Sequence, residues 1–170
     1  MIRIAITGPE SSGKTTLCRS LSEHLNVSFV PEFARSYLEK TNGEYDYPDL
    51  NKIAMGQLER VKSSNSEVVI SDSDFSVLEI WSQYKYGSVS AYIQELVKQD
   101  LFDLHILCTP DIPWEQDSLR ENPDNRDQLF ELYKDSLSNY GKNFIVVSGS
   151  HESRFEKSLQ SIRSTFKSLN

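Results

Sequence analysis

Apolar runs of strand length alternate along the chain with longer stretches of helical pattern. The runs fall at residues 2–7, 27–30, 68–71, 104–109 and 144–147. Between the first two, Leu17, Leu21 and Leu25 recur at i, i+4, i+8, which predicts a helix over 15–25 with one apolar face. Further helices are predicted over 32–40, 48–63, 75–86, 91–99, 126–140 and 155–169. Pro48 stands at the helical position proline tolerates best, and Gly87 separates two of the helices. Residues 41–47 and 111–125 are polar and turn-rich and are predicted as loops. Strand-to-strand connections this long rule out hairpins and require right-handed crossovers to parallel neighbours. The expected class is therefore α/β: three layers, a five-stranded parallel sheet, helices on both faces, and one domain over residues 1–170.

Composition narrows the function classes. The 170 residues are 38% hydrophobic and 25% charged, as expected of a globular protein. The net charge is −7 and the isoelectric point about 5.0. A general nucleic-acid binder would show a basic balance, so no nucleic-acid partner is expected. No run approaches the ~18–20 apolar residues of a membrane span, so no membrane partner is expected either. Residues 1–6 run straight into Thr7-Gly8 without the length of a signal peptide, and the expected location is cytoplasmic. Cys18 and Cys108 lack metal-ligand spacing and read as small core hydrophobes in a reducing compartment. An acidic chain that handles phosphate has to gather its few cations at the site.

The sharpest chemistry is Gly8-Pro9-Glu10-Ser11-Ser12-Gly13-Lys14-Thr15, which fits GxxxxGK[ST]. It follows a predicted strand and opens a predicted helix, the context a P-loop needs. The glycines allow a tight turn around phosphates, and the loop and helix N-terminus aim N–H groups at the anion. Lys14 would meet the β- and γ-phosphates, and the Thr15 hydroxyl would ligate Mg²⁺. Glu10, Ser11, Ser12 and Thr16 complete the expected nucleotide contacts. The implied cosubstrate is ATP with Mg²⁺.

Two carboxylates follow the third strand. Asp72 lies where a P-loop enzyme places an acid that holds Mg²⁺. Asp74 could share that work or contact the acceptor, or it could cap the next helix. No Glu follows Asp72 to activate water, which favours transfer over hydrolysis. Glu32, after the second strand, would project into the crevice at the strand ends. It could act as general base toward an attacking hydroxyl, or cap its helix. Arg35, one turn on, could pair with Glu32 or reach a phosphate. Phe33 and Tyr37 could stack on a flat substrate ring or form a core pair.

Residues 111–126 carry Trp114, Arg120 and Arg126 in a polar segment, expected as an Arg-bearing lid that closes on the moving phosphoryl group. The alternative is a solvated loop with salt bridges to Asp117, Glu121 or Asp124. Trp114 would shield the site or anchor the loop. Ser150 and Arg154 follow the last strand, where the nucleotide base is expected. Ser150 also fits a helix N-cap.

Together, residues 8–17, Val30-Pro31-Glu32-Phe33-Ala34-Arg35, Asp72-Ser73-Asp74, Trp81, Pro110-Asp111-Ile112-Pro113-Trp114, Asp117, Leu119-Arg120 and Arg126 resemble the ribosylnicotinamide kinase domain of the bacterial NadR proteins. The resemblance covers nearly the whole chain. It implies ATP-dependent phosphorylation of nicotinamide riboside in NAD salvage, with Lys14, Glu32, Asp72, Arg120 and Arg126 catalytic. Deoxynucleoside kinases are similar around Glu32 and in the lid, and there the matching Glu is the base. They carry a Glu-Arg pair where this chain has Asp72-Ser73. None of His24, His105 and His151 forms the HxGH of the NadR adenylyltransferase domain, and no upstream helix-turn-helix is expected. Ser118 replaces a usual Gly before Leu119-Arg120. The competing expectations are an ATP-binding switch or ATPase acting on a protein partner, and a kinase for another nucleoside. The oligomeric state is open.

Overall fold

The computed structural model describes residues 1–99, 101–120 and 123–167. In chain order the described elements are β1 (Ile2–Thr7), α1 (Lys14–Leu25), β2 (Ser28–Val30), α2 (Phe33–Lys40), α3 (Tyr47–Ser63), β3 (Val68–Asp72), α4 (Phe75–Tyr86), α5 (Ala91–Lys98), β4 (Leu104–Cys108), α6 (Arg126–Asn139), β5 (Phe144–Val147) and α7 (His151–Thr165). The strands form one sheet in the order β2-β3-β1-β4-β5, every pairing parallel. The chain leaves β1 between β3 and β4, the point at which strand order reverses and α/β sheets bind ligands.

The two-residue period of the strands sorts side chains into two cores. Ile4, Ile6, Ile70, Ile106 and Cys108 pack with Leu17 and Leu21 of α1 and Leu159 and Ile162 of α7. Ala5 and Val69 face the other way, onto Leu50 and Ile53 of α3, Leu78 of α4 and Ile93 of α5. A third cluster joins Ile80 of α4, Leu107 of β4 and Leu129, Tyr133 and Leu137 of α6. Both sheet faces are covered, as the apolar runs predict. The same period aims Asp72 to the α1 face and Ser71 to the α3 face.

Helix ends follow local chemistry. Asp46 and Asp49 form a capping box at the start of α3, with Pro48 in the first turn. Gly87 ends α4 in a left-handed conformation. The last helix differs from the predicted 155–169. Ser150 accepts a hydrogen bond from the Ser153 N–H and starts the helix at His151, a turn earlier. Its predicted end at 169 lies outside the described residues, as do Glu121 and Asn122 of the predicted lid.

Candidate active site

The P-loop leaves β1 at Gly8, whose φ is +133° and where a Cβ would stand 2.6 Å from the Cys108 carbonyl oxygen. Only glycine fits that approach of loop to β4. Ser12 Oγ donates to Pro9 O at 2.7 Å, and Lys14 Nζ donates to Gly8 O and Pro9 O at 2.9 and 2.7 Å. Lys14 is thus folded over the loop that has to wrap a phosphate chain. Thr15 Oγ1 donates to Asp72 Oδ2 at 2.6 Å. Asp72 Oδ1 is buried without a hydrogen-bond partner among the described residues. Burial pushes the Asp72 carboxyl above its usual range, opposed by the Thr15 hydroxyl and the Lys14 charge. A hydroxyl beside a buried carboxylate with one oxygen unspent suits Mg²⁺ completed by phosphate and water oxygens.

From this floor a cleft of about 630 Å³ runs toward α2 and α4. Glu32 lines it. Burial raises the Glu32 carboxyl above the ordinary glutamate range, and the Lys14 charge works against that shift. Its position is set from α3. Gln57 accepts the Phe33 N–H through Oε1 at 2.7 Å and donates to Ser71 Oγ at 3.0 Å. Arg60 donates to the carbonyls of Pro31 and Glu32, each at 3.2 Å, and to Ser36 Oγ at 2.9 Å. The far wall is aromatic. Trp81 Nε1 donates to Tyr45 Oη at 2.9 Å with the rings edge to face, and the Lys85 ammonium lies 3.9 Å from the centre of the Tyr45 ring.

The segment between β4 and α6 is tied to the P-loop and to α2. Ser11 Oγ accepts from the Glu115 N–H at 2.9 Å and from Arg120 Nη1 at 3.3 Å, and Ser11 O accepts from Arg126 Nη1 at 3.1 Å. Across the cleft mouth Arg35 Nη2 pairs with Asp117 Oδ2 at 2.8 Å.

Residues 3–154 match the family described as AAA domain. The chain belongs to that family. It is 30% identical over 171 residues to the trifunctional NAD biosynthesis/regulator protein NadR of Escherichia coli strain K12, an alignment covering 94% of this chain and 42% of that protein. The chain therefore spans less than half the length of this relative. Crystal structures of NadR with NAD and AMP-PNP and with NR superpose with TM-scores of 0.81 and 0.80, each at 20% identity. They cover 96% of this chain and 49% and 50% of those chains. Deoxyadenosine kinase from M. mycoides with dCMP and dCDP superposes at 0.64 with 18% identity, covering 96% of this chain and all of that one. The chain is an AAA-family P-loop domain with a nucleoside-kinase-like α/β fold, homologous to NadR.

Within this AAA domain the structure gathers Gly8, Glu10, Ser11, Ser12, Gly13, Lys14, Thr15, Thr16, Glu32, Arg35, Asp72 and Arg120 around one cleft. Six predicted contacts lie elsewhere. Asp74 turns away from the cleft after Ser73, whose φ is +85°. It accepts from Thr7, Ser76 and His105 behind the sheet. Burial alone would raise its pKa, but those partners hold the carboxyl below its usual range. It is the N-cap residue of α4 but makes no side-chain capping bond there. Phe33 packs on α3 because Gly56 leaves room there, with the Arg60 guanidinium 4.7 Å from its ring centre. Trp114 is an anchor outside the cleft, its ring centre 5.9 and 5.7 Å from the Arg120 and Arg126 guanidiniums. Arg126 spends Nη1 on the Ser11 and Ile112 carbonyls. Ser150 caps α7. Arg154 is buried and committed to Gly149 O, Ser12 O, Thr109 O and Asp111, so it braces the P-loop from behind. Arg35 pairs with Asp117 and Glu39 rather than Glu32.

Gln57, Arg60, Tyr45 and Tyr133 went unnoticed in the sequence. Each sits inside a helical or loop pattern that has an ordinary structural explanation. The one available signal was Gln57, a polar residue on the apolar stripe of Leu50, Ile53 and Val61.

Proposed function

We propose that this chain is an ATP-dependent kinase that phosphorylates the 5′-hydroxyl of a riboside. Nicotinamide riboside, converted to its mononucleotide in NAD salvage, is the acceptor that accords best with its NadR homology. One observation carries the reading: the Glu32 carboxylate shares a single cleft with the P-loop and the Thr15–Asp72 pair.

On this reading the P-loop N–H groups and Lys14 hold the β- and γ-phosphates of ATP. Thr15 and Asp72 would hold Mg²⁺, which when bound offsets phosphate charge. Glu32 accepts the proton of the 5′-hydroxyl as its oxygen bonds to the γ-phosphorus and the bond to the ADP oxygen breaks. Arg120, already on Ser11, stands beside the loop where charge accumulates on the moving group, and Arg126 fixes the same loop from outside. Residues 111–126 act as a lid that keeps water out. The aromatic wall receives the flat ring of the acceptor. The whole of residues 1–170 serves as one kinase domain.

The rival reading is an ATP-driven switch acting on a protein partner. Glu32→Ala separates the two. A kinase keeps ATP affinity and loses acceptor-dependent turnover, whereas a switch keeps both its ATP affinity and its basal hydrolysis.

A further inference from the structure

Tyr133 projects from α6 into the third core cluster, packed against Ile80, Leu107, Leu129 and Leu137, and only 6% of its surface is exposed. With its ring enclosed, it nevertheless lines the cleft beside Leu129, one turn earlier on the same helix. A buried tyrosine hydroxyl ordinarily finds a hydrogen-bond partner. No protein group among the described residues is hydrogen-bonded to this one. It is also absent from the polar atoms sealed off without a partner, so its open side is the cleft.

The hydroxyl feels the carboxylate of Asp74 behind it most, then those of Glu32 and Glu10, which line the same cleft. Burial, with these negative charges, raises the phenol well above its ordinary pKa. At neutral pH it keeps its proton and can donate. Tyr133 lines the same cleft as Glu32, the group assigned to the sugar's 5′-hydroxyl, so its hydroxyl opens on the space the acceptor would fill.

We propose that Tyr133 is a substrate-binding residue that donates a hydrogen bond to a ribose hydroxyl oxygen of the acceptor and so selects for an intact ribose. This rests on the riboside-kinase reading above. The residue next along the cleft on α6, Leu129, is apolar, so the helix offers the sugar this one polar contact.

The test is Tyr133→Phe, which removes the oxygen and keeps the ring. Binding of nicotinamide riboside and of its 2′-deoxy and 3′-deoxy counterparts is measured by calorimetry, with turnover alongside. Losing one neutral hydrogen bond weakens riboside binding about two- to tenfold. The KM for ATP should stay unchanged, and so should the melting temperature, because the hydroxyl has no protein partner to lose. The penalty should vanish for one of the two deoxy sugars, the one lacking the oxygen Tyr133 meets. Equal riboside affinity in wild type and variant overturns the proposal. So does a penalty that persists on both deoxy sugars. A wild-type protein that neither binds nor phosphorylates any riboside overturns the riboside reading and this proposal with it. A wild type that binds ribosides as tightly as Tyr133→Phe overturns the role of Tyr133 alone.

Discussion

The two ends of the cleft are built in different ways. The end that would hold the phosphate donor is almost one peptide. Residues 8–15 supply the loop, the lysine and the threonine; Asp72 meets the threonine, and Arg120, Arg126 and Arg154 hold the loop from outside. The end that would take the acceptor on the proposed reading is assembled from parts. Glu32 comes from the turn before α2, its posture from Gln57 and Arg60 of α3, and its walls from Tyr45, Trp81 and Tyr133. A phosphate chain is the same in every nucleotide, and backbone N–H groups can recognise it from a short local motif. An acceptor differs from enzyme to enzyme, so side chains from several elements converge on it.

That contrast can be broken at either end. Lys14→Met should cost most, on the order of 100- to 1,000-fold in turnover with any acceptor, as when a donor to a developing anion is removed. Steady-state ADP release reads it, and a comparable loss of ATP binding is expected. Glu32→Gln should lower acceptor-dependent turnover by roughly 100-fold or more while ATP affinity stays within a factor of two, because only the base is lost.

On the proposed reading the same carboxyl sets a pH limb. Glu32 must be ionised to accept a proton, and burial raises its pKa above the ordinary glutamate range. Turnover should therefore fall, as pH is lowered, at a pH where an exposed carboxylate is still charged. A pH–rate profile of riboside phosphorylation checks the sign. A limb at or below the ordinary carboxylate range would contradict it.

Asp117→Asn probes the bridge between the ends. The Arg35–Asp117 pair crosses the cleft mouth, and the Arg35 side chain is 52% exposed, so its loss should cost at most about 1 kcal/mol of stability. If the loop acts as a lid, acceptor-dependent turnover should drop severalfold and the share of ATP lost to water should rise. The charge-swapped pair Arg35→Asp with Asp117→Arg should restore part of the coupling between ADP release and phosphorylated product.

Gly56→Ala should have the smallest effect on chemistry and a visible one on stability. A Cβ there would stand 2.3 Å from the Phe33 ring. Overpacking costs about 1–3 kcal/mol, partly offset by about 1 kcal/mol of helix propensity. A net loss of about 1 kcal/mol lowers Tm by about 2–4 °C. Turnover should fall modestly, since Phe33 adjoins Glu32.

The two ends also differ in how far the sequence reveals them. Five apolar runs, the spacing of the helices and the P-loop anticipate the sheet and the donor end, because each is encoded in neighbouring residues. The place of Asp72 beside the P-loop was legible from its position at a strand tip. Asp74 was not, since the left-handed turn at Ser73 rotates it behind the sheet toward His105. Phe33 read as either a stacking candidate or half of a core pair, because nothing local shows that Gly56, 23 positions on, opens a seat for its ring. Arg154 read as a nucleotide contact after the last strand. Its four carbonyl and carboxylate partners come from three separate segments, which only the folded chain brings together.

On the proposed reading phosphate moves from one end of this cleft to the other. The direct measurement incubates purified protein with Mg·ATP and nicotinamide riboside and follows ADP and nicotinamide mononucleotide together. Riboside should raise ADP release well above its acceptor-free rate, with one mononucleotide formed per ADP. ADP release that is identical with and without nicotinamide riboside and other ribosides, with no phosphorylated sugar formed, would contradict it.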